Sequence, residues 1–216
     1  NTTETVQTIA INRTNSSTAG NVVTVSNVGS NWDHLAIALT GSPATDAYNV
    51  TGNVSSVRAV TKPVTVPLPS LGNPTVSLSL DLAQLPNSTA SITNTISSNP
   101  ASGEQSSFSL AAANAGNEIV ATAYTVTFAK TDIKNAGNGG IISNATITMA
   151  ISPAWVAANG GKDHIVIMHR ADDGTTSQLT TTYTGVDAGG NYVFTAVSPT
   201  GLSTFVLTAV SPLPVS

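Results

Sequence analysis

The stretch SPAWVAANGGKDHIVIMHRADDG, Ser152 to Gly174, holds one of the chain's two tryptophans, two of its three histidines and three of its eleven acidic residues. Ser152 is placed to cap a helix that starts at Pro153, where a missing N–H costs nothing, and Gly160 offers a left-handed stop after about one and a half turns. The apolar run that follows reads as a core strand from His164 to Arg170. Asp173-Gly174 then marks a hairpin, because the turn needs a positive φ that glycine adopts without steric cost. The expectation is one short helix over 153–159 on a β chain, with Trp155 lying over the open end of a sheet core.

Working outward, the period-two pattern dominates. Glu4 to Ile11, Asn21 to Val28, Leu35 to Leu39, Val54 to Val60 and Thr75 to Leu82 are short runs of β-formers, several strictly alternating, separated by Gly, Asn, Ser and Pro. Lys62 to Ser70 carries three prolines and predicts an edge strand or an extended crossing segment, since proline cannot donate to a ladder. Leu85 to Ser107, rich in Ser, Thr and Asn, reads as a linker or surface loop, with Ile92 and Ile96 able to anchor a strand or a helical turn. Strand patterns resume at Ser106 to Ala112, Glu118 to Lys130 and Ala145 to Ser152, with Asn135 to Gly140 as a loop. Three more follow the quoted stretch, in TSQLTTTYTG, NYVFTAV and STFVLTAV. The expected fold is all-β, built of antiparallel, sandwich-like sheets. Its two regions are 1–100 and 101–216, with the boundary between Pro86 and Ser107, or else one continuous sandwich.

Composition narrows the chemistry. Of 216 residues 40% are hydrophobic, enough for a core, yet only 8% are charged against roughly 25% in ordinary soluble domains, so the surface is polar and largely uncharged. Thr, Ser and Asn make up about a third of the chain. Seven Lys plus Arg are scattered singly in a chain of net charge −4, and no basic stripe exists to neutralise phosphates, so nucleic acid is not an expected partner. Cysteine is absent, which removes disulfides, thiolate metal sites and cysteine nucleophiles. There is no run of eighteen apolar residues and no retained signal-peptide pattern, and Asn1 reads as the start of a processed chain. Seven Asn-x-Ser/Thr sequons, at Asn1, Asn12, Asn15, Asn49, Asn53, Asn87 and Asn144, point outside the cell and offer acceptors for glycans.

Each reactive residue type has a plain structural role to weigh against. His164 and His169 differ by an odd number, so on one strand they face opposite ways and do not chelate one ion together. His34, beside Asp33, meets them only through tertiary contact. No serine sits in a nucleophile elbow, and Glu4, Glu104 and Glu118, the only glutamates, do not form a pair. Asp172, Asp173 and Asp187 are turn residues; calcium binding there is a minor reading without a recognised loop spacing. No catalytic residues, no cofactor and no metal are therefore assigned, and the chain is not expected to be an enzyme.

From Ala145 onward the order of elements carries a resemblance: a strand, a Ser-Pro-Ala-Trp short helix, an apolar strand ending in a charged turn, LTTTYTG, an aromatic strand, and a closing SPTGLSTF. Over about 65 residues this resembles the PGF-pre-PGF domain of archaeal surface proteins. The resemblance implies location and role, with no catalytic residues to carry over. It implies an extracellular protein of the cell surface, similar to S-layer and other envelope components. Members often continue into a C-terminal membrane anchor, whereas this chain ends AVSPLPVS with no anchor in it, and the expectation is that it stays in place by assembly.

Physical chemistry supports that expectation. Exposed sheet edges are usually defended by lysines or inward charges, and here several strands carry at most one charged residue. Rows of Thr and Asn also hydrogen-bond along stacked strands. The expected function is a self-assembling structural protein of a sheath, S-layer or filament. It is an amyloid-like homopolymer joined by strand pairing, with the N-terminal strand as the exchanging element and itself as partner. The alternative is a secreted adhesion or carbohydrate-binding module, weakened by a 5% aromatic content that is dispersed along the chain.

Overall fold

A computed structural model describes residues 7–26, 28 and 32–214. The chain runs through β1 (Gln7–Asn12), β2 (Ser16–Ala19), β3 (Val22–Ser26), β4 (Trp32–Leu39), β5 (Ala44–Thr45), β6 (Asn49–Thr61), β7 (Val64–Thr65) and β8 (Thr75–Leu82). It continues with β9 (Ser91–Ser97), α1 (Ser102–Asn114), β10 (Asn117–Thr131), β11 (Ile142–Ile151) and α2 (Pro153–Ala158). The last strands are β12 (Ile165–Arg170), β13 (Thr176–Gln178), β14 (Thr181–Val186), β15 (Tyr192–Ser198) and β16 (Thr204–Pro212).

These strands form two antiparallel sheets, so the fold is all-β and sandwich-like. The larger has eleven strands in the order β14-β15-β11-β8-β6-β4-β3-β2, with β1 and β5 pairing with β6 and β7 with β8; the smaller has the order β13-β12-β16-β10-β9. Strands from either side of residue 100 share both sheets, since β8 pairs with β11 and β9 with β10. One core cluster runs from Ile9 to Ala209.

Alternation explains the large sheet. In β8 the residues Val76, Leu78, Leu80 and Leu82 are buried while their neighbours are half-exposed, as a period-two strand with one core face requires. In the small sheet β12 and β16 are buried on both faces, which is why β16 is apolar almost throughout: Thr204 to Val210 are all buried. Its inner face meets the large sheet, and its outer face lies under α1, where Phe108 and Ala112 pack on Val166, Met168, Val206 and Val210.

That helix corrects two expectations. Ser106 to Ala112 is not a strand, and of the readings of Leu85 to Ser107 the strand anchored by Ile92 and Ile96 is the one that forms, as β9, with the start of α1 in place of a linker after it. Alanine and leucine favour a helix, and Phe108, Ala111 and Ala112 fall at the i, i+3, i+4 spacing of one buried stripe. The fold therefore has a second, longer helix beside the expected short one.

The quoted stretch folds largely as read. The Ser152 hydroxyl accepts from the Trp155 N–H at 3.3 Å, Pro153 opens α2, and Gly160 follows it at φ 105°. Trp155 is half-buried against the core. Arg170 pairs with Thr176 across a hairpin in which Gly174 takes φ 88°. One point changes: His164 closes a single 3-10 turn, Lys162–His164, and precedes β12 rather than starting it. Its ring donates from Nδ1 to the Val210 carbonyl at 2.8 Å.

Candidate functional site

The margins of the sheets differ in how well they are blunted. At one end of the large sheet β14 is broken by a register shift between Tyr183 and Gly185, with Gly185 at φ 133°, and a bulge of this kind twists an edge away from flat pairing. At the other end β2 is only four residues long. In the small sheet β13 is three residues long and lies beside α1, to which it is tied by the Thr176 hydroxyl donating to the Ser107 carbonyl at 2.9 Å. Among the described residues, two strands at the margins are regular and uncharged. β9, SITNTIS, pairs with β10 over seven residues from Ser91 to Ser97 without a register shift, and it contains no charge and no proline. β1, QTIAIN, pairs with the first half of β6 in unbroken register and is likewise uncharged.

The β9 margin also opens onto the interior. Ile92, Asn94 and Ile96, with Phe128 of the neighbouring β10, line a cavity of about 140 Å³ between the sheets, opposite Val64 and Val76. The lining mixes isoleucine, valine and phenylalanine with Thr61, Lys62, Ser77 and Asn94, and it includes no acid and no imidazole.

The residues weighed for chemistry are dispersed. His34 contacts its neighbour Asp33, with Nδ1 2.7 Å from Oδ2. His169 is buried, stacked on Phe205 with ring centroids 4.6 Å apart, and burial depresses its pKa to about 4, partly offset by Asp172. Glu104 sits in the first turn of α1, 3.7 Å from Arg170, and Glu118 is exposed near the start of β10, while Glu4 lies outside the described residues. Asp172 accepts from Lys130 Nζ at 3.2 Å and from Asn135 Nδ2 at 3.0 Å, whereas Asp173 and Asp187 accept from backbone N–H groups of their own turns. Among the described residues no three acid or imidazole groups converge on a point that a metal ion needs. No described helix is long and apolar enough to cross a membrane.

The sequons sit at the surface. Asn12, Asn15, Asn49, Asn53 and Asn87 are exposed, Asn144 is half-buried on β11, and Asn1 lies outside the described residues. Asn12 stands directly opposite Asn49 in the β1–β6 register, which gathers two acceptors at one end of the large sheet. Asn135, by contrast, was legible only as a loop residue. It is 3% exposed and clamps Leu202 from both sides, and no local signal in its Gly-rich surroundings announces that role.

No family model, no curated protein and no solved structure matches this chain.

Proposed function

We propose that the protein is a self-assembling structural subunit of an extracellular layer, of the archaeal sheath, S-layer or filament kind, whose copies join by strand pairing. The observation that carries this reading is the sparse charge of the strands at the sheet margins: β9 and β1 are regular and carry no charged residue, no proline and no register shift among the described residues. Soluble β proteins usually blunt their outer strands with charge, proline or a bulge, because a regular uncharged strand templates another chain. The N-terminal strand β1 is the exchanging element in this proposal. Strand exchange between copies extends one sheet into the next, and the low charge of the chain leaves little repulsion between copies.

An adhesion or carbohydrate-binding module on the same scaffold is the weaker reading. Its aromatic platform is not on offer at Tyr183 and Tyr192, whose half-buried rings lie beneath Lys162 Nζ at 4.2 and 4.7 Å from their centroids.

Electron microscopy of the purified full chain over a wide concentration range tests the proposal. Tubes, hoops or fibres are expected from the wild type, and discrete folded monomers from Thr93→Lys/Thr95→Lys, whose two side chains are exposed on β9. Monomeric wild-type protein at every concentration overturns the assembly reading. A polymer indifferent to the two lysines and joined by helices or side-chain patches overturns the strand-pairing mechanism.

A further inference from the structure

We propose that Lys130 and Asn135 become joined by an isopeptide bond within each subunit, formed by the chain itself with Asp172 carrying the protons. The amine of Lys130 displaces the side-chain nitrogen of Asn135 as ammonia. This inference goes beyond the assembly reading and does not depend on it.

Three segments bring the group together. Lys130 lies near the end of β10, Asn135 in the loop that follows it, and Asp172 in the turn after β12. Lys130 Nζ is 3.2 Å from both carboxylate oxygens of Asp172 and donates to the Leu202 carbonyl at 3.0 Å. Asn135 Nδ2 donates to the same carboxylate at 3.0 Å and to the same carbonyl at 2.8 Å. The two nitrogens therefore share two acceptors and lie side by side, with the amide carbon one covalent bond beyond Nδ2. Rotation about the last bonds of the flexible lysine stem carries Nζ from that resting place to the amide carbon.

Leu202 also readies the amide for attack. Asn135 Oδ1 accepts from the Leu202 N–H at 2.9 Å, so the negative charge that develops when Cγ is attacked falls on an oxygen that already has a backbone donor. Asn135 is 3% exposed and the Lys130 side chain 12%, which holds nucleophile and target together and limits the access of water as a competing nucleophile. The Asp172 side chain is more open, at 35%, and with Asn135 it borders the polar cavity around His169, through which ammonia leaves.

A clamp on the backbone needs only Asn135 and Leu202. A carboxylate in contact with both the amine and the amide nitrogen is what proton transfer between them needs. Asp172 takes a proton from Nζ, freeing the lone pair that forms the bond to Cγ. It hands that proton to Nδ2, the bond from Cγ to Nδ2 breaks, and Asp172 takes the second proton that Nζ sheds as the new amide forms. Ammonia carries this proton away. In sum, the Lys130 ammonium and the Asn135 amide give one secondary amide and one ammonium ion, with nothing oxidised or reduced. The bond closes a ring over residues 130–135, a covalent tie in a chain without cysteine.

Intact-mass spectrometry of the full chain, made in a host that adds no glycans, reads the reaction directly. The wild type is expected to weigh one ammonia less than its sequence requires. Unfolded and cut before its aspartates, it is expected to keep residues 81–131 and 132–162 joined, two fragments that come apart in an unlinked chain. This second readout separates the bond from a succinimide, which also sheds ammonia but joins no fragments. Lys130→Arg keeps the cation but has no amine to deprotonate, and Asp172→Asn keeps the shape but carries no proton. Each variant is expected to show its full sequence mass and to release both fragments. A wild type at full mass overturns the proposal, as does loss of ammonia without joined fragments. Joined fragments in either variant overturn the role given to the residue it replaces.

Discussion

The hydroxyl of Tyr124, on β10 of the small sheet, donates to the carbonyl of Ala150, on β11 of the large sheet, across 2.7 Å. Both residues are buried, so this is a polar tie through the middle of an otherwise apolar sandwich. Removing the hydroxyl leaves the carbonyl without that donor. Tyr124→Phe is expected to lower stability by about 1–2 kcal/mol in urea unfolding, with the transition still cooperative. Burial also raises the Tyr124 pKa above its ordinary value of 10.0. The native state therefore keeps its proton where the unfolded chain has lost it, and stability falls as pH rises above 10. The phenylalanine variant is expected to lose that part of the alkaline slope.

Asn135 imitates a missing strand neighbour. Its Nδ2 donates to the Leu202 carbonyl at 2.8 Å, and its Oδ1 accepts from the Leu202 N–H at 2.9 Å. Asn135→Ala leaves the buried Leu202 N–H unpaired and its carbonyl with Lys130 Nζ alone, at 3.0 Å, and is expected to cost about 1–3 kcal/mol. Gly201 makes room for the clamp: it sits at φ 87°, and a Cβ there collides with the Asn135 side chain. Gly201→Ala is thus expected to destabilise as well, and the double variant to cost less than the sum, because both changes break one clamp. Additive losses in equilibrium unfolding would contradict the shared mechanism.

How much of this was readable beforehand depended on how local the information was. Thr75 to Leu82 announced β8 to the residue, because its alternating leucines face one core and nothing else. The Ser152 cap, Pro153 and the Asp173-Gly174 hairpin were equally local. Ser106 to Ala112 misled because Ser-Phe-Ser-Leu alternates like a strand, while the helical stripe of Phe108, Ala111 and Ala112 is narrow and made mostly of small residues. The uncharged character of the margins was visible in the sequence. Which strands lie at the margins was not, since that follows from pairings such as β8 with β11, and the cavity around His169 gathers loops that only tertiary contact brings together.

Phe108 is the anchor of α1. It is 1% exposed and fills the space over Val166, Met168, Val206 and Val210. Phe108→Ala is expected to cost about 3–5 kcal/mol, since the cavity left between a helix and a sheet closes only partly. Hydrogen exchange distinguishes local from global loss: protection is expected to fall first along 102–114 and on β13, which α1 flanks, before it falls on β8 or β11.

His169 makes the stability of the protein depend on acid. Its pKa is lowered from 6.5 to about 4, chiefly by burial, with the Asp172 carboxylate pulling the other way and Lys130 adding to the depression. In the unfolded chain the imidazole takes up a proton near pH 6.5, while in the native state it resists until about pH 4. Between those values the unfolded state binds more protons, so stability rises with pH across the window. The contribution is fully present above pH 6.5 and is lost as pH falls toward 4, with a size on the order of 3 kcal/mol. Urea midpoints measured from pH 7.5 down to 4.5 are expected to fall steadily in the wild type. His169→Gln, which keeps a hydrogen-bonding side chain and cannot protonate, is expected to start lower and to change much less over the same range. Parallel slopes for the two proteins would place the acid sensitivity elsewhere.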